Sequence, residues 1–310
     1  FQQQQMRGAV KPGVRVSGSG LPHFGHIPSP VWPGKRPSFT ASGQTAVASR
    51  GAHALPARYD SREMNRVTPV RNQASCGACW SFAAMGTIES SLLPDEDSVF
   101  SPEHLILNHG FDYGRCEGGN PWMSLAYLSR WGGPLKEKDY PYAQGNSTQT
   151  AVPQLVNKHV QEVVFLPDRA HALDNSIIKQ YLMNEGALLI GYYADDAYLN
   201  PATAAYYCND PQARSNHEVV VVGWDDAYSA SNFSIPPPGD GAFIVKNSWG
   251  TSWGDDGFFY LSYYDEVVYN FVSFKSVAPV TDFSTNYGHD ALGWCTDFGY
   301  GRTNAWGANI

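Results

Sequence analysis

The sequence lacks a long apolar run and a surplus of positive charge. None of its hydrophobic stretches approaches the roughly 18 residues that a membrane-spanning helix needs, and its start has no basic segment followed by an apolar core, so it predicts neither a transmembrane segment nor a retained signal peptide. Lys and Arg number 21 against 29 Asp and Glu, which gives a net charge of -8. This balance disfavours nucleic acid as a partner, because a polyphosphate is held by a positive field.

Metal-ligand clusters are absent from the sequence as well. The five histidines that have no partner at metal-ligand spacing are His104, His109, His159, His171 and His289. Zinc sites in proteins are built from Cys and His at short, characteristic spacings. We therefore predict no metal and no cofactor.

Cysteine is scarce and odd in number. The five cysteines are Cys76, Cys79, Cys116, Cys208 and Cys295. Pairing leaves one thiol over, which in an exported protein is either intermolecular or chemically active. The alternative is a cytosolic protein in which all five are reduced.

The 310 residues, of which 43% are hydrophobic, can form one large domain or two lobes with extensions. Residues 1–54 are rich in Gln, Gly, Pro and Ser and are typical of an extended arm. Helices are predicted at 79–93, from 101 onward, at 121–131 and at 175–184, and strands at 187–193, 218–224, 242–246 and 257–263. Helices followed by strands predict an α+β protein with two lobes.

The densest chemical signal is residues 73–80, which read QASCGACW. This segment places Cys79 in the first turn of a buried helix, where the helix dipole and free amides stabilise a thiolate. CGACW fits the signature of papain and cathepsin nucleophiles. Three further blocks follow: Asn216-His217 heads a hydrophobic strand, residues 116–122 read CEGGNPW, and residues 246–254 read KNSWGTSWG.

On these blocks the chain resembles the papain-like cysteine peptidases over about residues 55–275. The resemblance implies a peptidase domain at 55–280 with a helical N-terminal lobe, an antiparallel β-barrel-like C-terminal lobe and the active site in the cleft between them. It also implies cysteine-dependent hydrolysis of peptide bonds through a thioester on the enzyme. The arm is similar to the short N-terminal extensions of bacterial or archaeal members.

Amide hydrolysis needs a nucleophile, a proton carrier, a group that orients the carrier and donors for the oxyanion. We assign these roles to Cys79, His217, Asn247 and Gln73, with the Cys79 backbone N–H as the second donor. His217 lies 138 residues after Cys79, inside the family range of about 130–150. Asn247 lies 168 residues after Cys79 and outside that range, which the proline-rich insert at 226–240 explains.

Glycines let a substrate backbone approach closely, so Gly118 and Gly119 are the expected pairing edge. Glu218 stands where the family has a small residue, beside the pocket for the second residue before the scissile bond, and a basic substrate residue there is a hypothesis. By resemblance, Trp249 shields the His217–Asn247 bond. The expected substrate contacts are Gly118, Gly119, Asn120, Pro121, Glu218 and Trp249.

The resemblance pairs Cys76 with Cys116. Arithmetic alone then pairs Cys208 with Cys295, which would leave Cys79 as the active thiol of a secreted or cell-surface enzyme. Residues 281–310 form a C-terminal extension and look like the start of a further β module. Some bacterial and archaeal relatives continue there into a lectin-like domain, which implies cell-surface or glycan association.

Three questions stay open on the sequence. The arm is either a linker or a prosegment that covers the cleft. The chain could be a non-catalytic binding or adhesion protein that keeps the fold, although Cys79, His217, Asn247 and Gln73 are all intact. A thiol-dependent acyl transferase, in which an amine replaces water, fits the same residues.

Overall fold

The computed structural model describes residues 24–27, 55–144, 156–282 and 285–286. Cys295 and most of the predicted C-terminal extension lie outside the described residues. The helices are α1 (Cys79–Leu92), α2 (Pro102–Asn108), α3 (Pro121–Ser129) and α4 (Ser176–Asn184). The strands are β1 (Arg58–Asp60), β2 (Lys158–Phe165), β3 (Leu188–Tyr192), β4 (Leu199–Asn200), β5 (Ala205–Tyr206), β6 (His217–Asp225), β7 (Ala242–Lys246), β8 (Phe258–Ser262) and β9 (Tyr269–Pro279).

Helices α2 and α3 begin at residues whose side chains cap them. The Ser101 hydroxyl accepts the His104 N–H at the start of α2, and Pro102 occupies the first turn. Asn120 caps α3 in the same way, accepting the N–H groups of Trp122 and Met123. Helix α1 has no side-chain cap and is buried on nearly every face, which is typical of a central helix rather than an amphipathic surface helix.

All the described strands belong to one sheet, in the order β2-β9-β3-β6-β7-β8-β5-β4, with β1 paired to β6. The predicted α+β class is confirmed. The predicted β-barrel-like closure is wrong, because the sheet ends in β2 on one side and the two-residue β4 on the other, which do not pair. The pairing of β5 with β8 is parallel, so the sheet is also not wholly antiparallel.

Strand β6 lies at the centre of the molecule. Its neighbours in the sheet are β3 and β7, and helix α1 packs on it. The approach is close enough that a Cβ at Gly86 of α1 would lie 3.1 Å from Val220 of β6. Two apolar clusters result: one includes residues of α1, α2 and α3, and the other includes α4 and much of the sheet.

This arrangement brings the first residue of α1, Cys79, close to the first residues of β6. Strand β7 runs antiparallel to β6 with Lys246 opposite Val220, so the residue that follows β7, Asn247, returns toward the start of β6. None of the helices in the described ranges combines the length and apolar composition that crossing a bilayer requires.

Candidate active site

Cys79 is fully buried at the first position of α1. Burial raises the pKa of the Cys79 thiol, and hydrogen bonds from the backbone N–H groups of Glu218, Trp80 and Cys79 oppose that rise. The first N–H groups of a helix are available for this because they have no acceptor within the helix. Hydrogen bonding to Glu218, the neighbour of His217 in β6, brings the sulfur to the start of that strand. The predicted nucleophile and proton carrier therefore meet at one point of the fold.

The His217 ring is held by Asn247 in one tautomer. His217 Nε2 lies 2.9 Å from Asn247 Oδ1, and the same Oδ1 accepts the Ser248 N–H at 2.8 Å. Because a backbone N–H can only meet an acceptor, this atom is the amide oxygen, and His217 Nε2 must carry a proton. Nδ1 is then the basic nitrogen, and it has no hydrogen-bond partner among the described residues.

Trp249 covers the pair formed by His217 and Asn247. Its ring stacks on the His217 imidazole, with centroids 4.6 Å apart and an interplanar angle of 25°. Trp253 packs edge-on against Trp249, with ring centroids 4.9 Å apart, and so restricts the orientation of the Trp249 indole. The predicted role of Trp249, shielding the His217–Asn247 bond from water, stays a prediction.

Gln73 stands in the loop before α1, with its side chain anchored by Ser248. The Ser248 hydroxyl donates to Gln73 Oε1 at 2.6 Å, and the Gln73 N–H donates to the Ser248 carbonyl at 2.8 Å. The side-chain amide is thereby turned so that Nε2 donates to Cys76 O at 2.9 Å and to Phe24 O at 3.1 Å. Ser248 was not among the predicted site residues, although it lies inside the KNSWG block.

Residues 24–27, here called the arm segment, lie across this site. The Phe24 ring packs on His217 and Trp249, with centroid separations of 5.4 and 4.8 Å. Its carbonyl accepts from the Gln73 amide. Gly25, at φ +109°, lies so close to Gly77 that a Cβ on it would be 2.3 Å from the Gly77 carbonyl carbon.

The arm segment then pairs with the predicted glycine edge. Gly119 donates its N–H to Gly25 O and accepts the Ile27 N–H, both at 2.8 Å, in a parallel bridge centred on His26. Asn120, besides capping α3, donates from Nδ2 to Ile27 O at 3.2 Å. The contact requires glycine at position 118, because a Cβ added to Gly118 would lie only 2.5 Å from Gly25 O.

The indole of Trp80 lies under the same edge, where a Cβ on Gly119 would approach it to 2.3 Å. Pro121 fills the first turn of α3 and is buried. Its predicted contact with substrate stays a prediction.

Glu218 is the second residue of β6, and its side chain has no exposed area. Its Oε1 lies 2.8 Å from His26 Nδ1, while Oε2 has no hydrogen-bond partner among the described residues. The His26 N–H donates to Asn216 O at 3.2 Å. The carboxylate thus faces the arm residue that pairs with Gly119, at the place where the sequence predicted a substrate pocket.

The covered cleft changes the protonation of the catalytic pair. Burial raises the pKa of the Cys79 thiol well above its ordinary value, and the Glu218 carboxylate raises it further. Burial also lowers the pKa of His217 to about 4, against the opposing hydrogen bond to Asn247. Both groups are therefore neutral at neutral pH beneath the arm segment, and the predicted thiolate–imidazolium pair stays a prediction for the open cleft.

Cys76 and Cys116 form a disulfide, as the resemblance implied. The bond connects the loop before α1 to the loop that carries the glycine edge. Cys208 is buried as a free thiol in the described residues, and its predicted partner Cys295 lies outside them. Within the described ranges, no group of three or more His, Cys, Asp and Glu side chains is arranged to hold a metal ion.

Comparison with known proteins gives a family match over most of the chain. The model of the papain family cysteine proteases matches residues 55–277. The chain is 31% identical over 224 residues to the probable cysteine protease RD19B of Arabidopsis thaliana, covering 66% of this chain and 57% of that protein. It is 30% identical over 222 residues to a viral cathepsin of Choristoneura fumiferana defective polyhedrosis virus, covering 70% and 62%. The chain thus spans less than two thirds of the length of these relatives.

Solved structures agree with the sequence match. The clostridial cysteine protease Cwp84 after propeptide cleavage superposes with a TM-score of 0.64 at 32% identity, covering 72% of this chain and 58% of that one. The digestive procathepsin L2 proteinase of Tenebrio molitor gives 0.58 at 25% identity, with coverage of 72% and 69%. The fold is papain-like, and the chain belongs to the papain family of cysteine proteases.

Proposed function

We propose that this chain hydrolyses peptide bonds in proteins or peptides, with Cys79 as nucleophile and His217 as proton carrier. One observation carries the proposal: a peptide carbonyl, that of Phe24, is hydrogen-bonded to the Gln73 amide beside the helix that begins at Cys79. A carbonyl held at this position has a donor on its oxygen and a nucleophile nearby, which are the requirements of acyl transfer.

Acylation would begin with transfer of the thiol proton to His217 Nδ1. The sulfur then bonds to the carbonyl carbon while the π electrons move onto the oxygen, which accepts from Gln73 Nε2 and the Cys79 backbone N–H. Collapse of the oxyanion breaks the C–N bond, and His217 returns its proton to the departing amine. A thioester on Cys79 and a free amine result.

Deacylation would use the same groups in reverse. His217 Nδ1 takes a proton from water as the water oxygen bonds to the thioester carbon. The C–S bond then breaks, and His217 returns the proton to the sulfur, which releases a carboxylic acid and the Cys79 thiol. An amine in place of water would give a new amide, so product analysis with added amine separates hydrolysis from acyl transfer. A non-catalytic binding protein would give neither product.

The roles can be tested with a mixture of peptide substrates and an epoxide inhibitor of cysteine peptidases. We expect cleavage and labelling in the active chain, and loss of both in Cys79→Ala. Gln73→Ala should keep the label but lower kcat by about 100-fold, since removal of one oxyanion donor costs 10²–10³. Cleavage that survives in Cys79→Ala would refute the proposal.

We also propose that the N-terminal arm is a prosegment that keeps the cleft closed. The contacts of the arm segment with Gln73, Gly119 and Glu218 support this reading over a free linker. If substrate residues before the scissile bond lie on the Gly119 side, as the resemblance implies, the arm runs in the opposite direction to a substrate. An arm in that direction would hold the Phe24 carbonyl with its amide nitrogen on the Gly119 side, opposite to the side from which a substrate's amine would leave.

We propose that the protein acts outside the cytoplasm. The disulfide between Cys76 and Cys116 supports an oxidising compartment. A structure of the protease and lectin-like domains of Cwp84 describes that protein as surface layer associated in Clostridium difficile, which makes a cell-surface or glycan-bound setting reasonable to test. Cell fractionation, with mass spectrometry of the cysteine pairs, is the direct test, and a reduced pair in a cytosolic fraction would contradict the proposal.

A further inference from the structure

Glu218 is a buried carboxyl group whose side chain contacts one histidine, His26. Its side chain has no exposed area, and in the part of the chain that the structure describes its only ion-pair partner is His26. Burying a carboxylate without a hydrogen-bonded partner is costly, because the charge loses its hydration. Glu218 therefore loses its one ion-pair partner among the described residues once the arm leaves the cleft.

The position of His26 is that of a substrate residue. Its backbone forms the bridge with Gly119, the edge on which a substrate backbone is expected to pair. Its side chain is 6% exposed and points to Glu218 Oε1. A substrate residue that pairs with Gly119 would direct its own side chain into the same pocket.

Glu218 Oε2 is buried and has no hydrogen-bond partner among the described residues. Histidine at the distance seen reaches one oxygen only, whereas a guanidinium presents two parallel N–H donors that match both oxygens of a carboxylate. The pocket is thus better matched by arginine than by the histidine that fills it.

We propose that Glu218 selects a basic side chain, above all arginine, in the substrate residue that pairs with Gly119. The inference rests on the proposed peptidase function and adds the class of substrate to it. In the closed form, the smaller imidazole of His26 fills the pocket and contacts one oxygen of Glu218.

The first test uses the full chain and needs no peptidase activity. The rate at which iodoacetamide alkylates Cys79, followed by mass spectrometry of the peptide that contains it, reports how firmly the arm covers the thiol. We expect His26→Arg to alkylate more slowly than His26→Leu by about 10-fold or more, the ratio typical of a hydrogen bond to a charged group. In the isosteric Glu218→Gln background the two should differ by less than about twofold.

Equal rates of Cys79 alkylation in His26→Leu and His26→Arg would overturn the proposal. A difference between these two variants that persists in the Glu218→Gln background would also overturn it. Circular dichroism melting of each variant separates loss of arm binding from loss of folding. If Glu218→Gln melts at a lower temperature than the unmodified chain, Glu218→Ala replaces it, because alanine leaves space rather than a new polar group.

The second test measures selection in catalysis. The full chain carrying Gly25→Val, in which the arm no longer fits against Gly77, is assayed on peptides that differ only in the residue pairing with Gly119. We expect kcat/KM for arginine to exceed that for leucine by about 10-fold or more, and Glu218→Gln to remove the difference. Equal cleavage of both peptides would contradict the selection of a basic side chain by Glu218 and would still support the peptidase function. Failure to cleave any peptide while Cys79 alkylates readily defeats the peptidase function, and the alkylation ratios still decide the role of Glu218.

Discussion

The Ser248 hydroxyl donates to Gln73 Oε1 at 2.6 Å, and through this bond the residue after Asn247 determines where the oxyanion donor points. Both residues are buried, with an exposed fraction of 7% for Ser248 and 2% for Gln73, so water does not readily replace the bond. Asn247 and Ser248 therefore position the proton carrier and the oxyanion donor from two adjacent places in the chain.

Loss of the Ser248 hydroxyl should affect the chemical step more than binding. In Ser248→Ala the Gln73 amide can rotate, and we expect kcat to fall by about 5-fold while KM stays within about twofold, since a hydrogen bond of this kind contributes about 1 kcal/mol. Steady-state kinetics on a peptide substrate measures both constants. Ser248→Thr keeps the hydroxyl and should recover most of kcat, and an equal loss in both variants would point to packing instead.

Loss of the Asn247 amide should release the His217 tautomer. In Asn247→Ala nothing holds the proton on Nε2, so we expect a fall in kcat/KM of about 10-fold or more and a mixture of the two neutral tautomers. Nitrogen-15 chemical shifts of the imidazole distinguish the tautomers directly. Ring shifts that match those of the unmodified chain would contradict the assigned role of Asn247.

Displacing the arm should move the pH dependence of thiol reactivity. The neutral thiol does not react, and burial raises the pKa of Cys79, so in the covered chain alkylation should become fast only well above neutral pH. Gly25→Val places a branched side chain where even a Cβ lies 2.3 Å from Gly77, and the arm cannot seat. Its alkylation curve should shift to lower pH and its rate at pH 7 should rise by about 10-fold or more.

The control for that experiment is Leu173→Ala, an exposed apolar side chain remote from the arm contacts. It should alkylate like the unmodified chain. Coincident pH curves for Gly25→Val and this control would mean that the arm does not cover the thiol in solution.

Asp265 should make the protein less stable as pH rises through the acidic range. It is buried and accepts the N–H groups of Cys208 and Val267, and burial raises its pKa to about 7. An unfolded aspartate titrates near 3.9, so between about pH 4 and about pH 7 the unfolded chain loses a proton that the folded chain keeps. The contribution of Asp265 to the free energy of unfolding is therefore fully present below about pH 4 and is lost as the pH rises to about 7.

Asp265→Asn removes the titration while keeping one acceptor oxygen. Urea unfolding at several pH values should give a free energy of unfolding that declines less from pH 4 to pH 7 than in the unmodified chain, by roughly 1 to 4 kcal/mol. Parallel curves for the two proteins would show that Asp265 titrates normally in the folded state.

The parts of the site that lie within short sequence blocks could be predicted. Cys79 at a helix start and His217 at the head of an apolar strand follow from local chemistry, and β6 and β7 are found where alternating or continuous apolar runs predict them. The spacing from Cys79 to Asn247 was explained by the insert at 226–240, and a loop with one short 3₁₀ turn does fill that stretch.

Features that depend on distant backbone pairing could not be predicted. Strand β9 was missed because Ser273, Lys275 and Ser276 interrupt its apolar residues, and its partner β2 is more than a hundred residues away. The arm segment has no periodicity, and its pairing with Gly119 is made by backbone atoms alone. The barrel-like lobe came from the resemblance and not from the strands, so no pattern in the sequence could correct it.

The bond between Cys76 and Cys116 joins the loop that precedes the nucleophile to the loop that carries the glycine edge. One sulfur lies three residues before the nucleophile, and the other lies two residues before the glycine that opens the pairing edge. A displacement of the loop that carries Gly118 and Gly119 is thereby transmitted to the loop before Cys79. Reducing agents that keep Cys79 as a free thiol would, at higher concentration, also reduce the Cys76–Cys116 bond and let these two loops move independently.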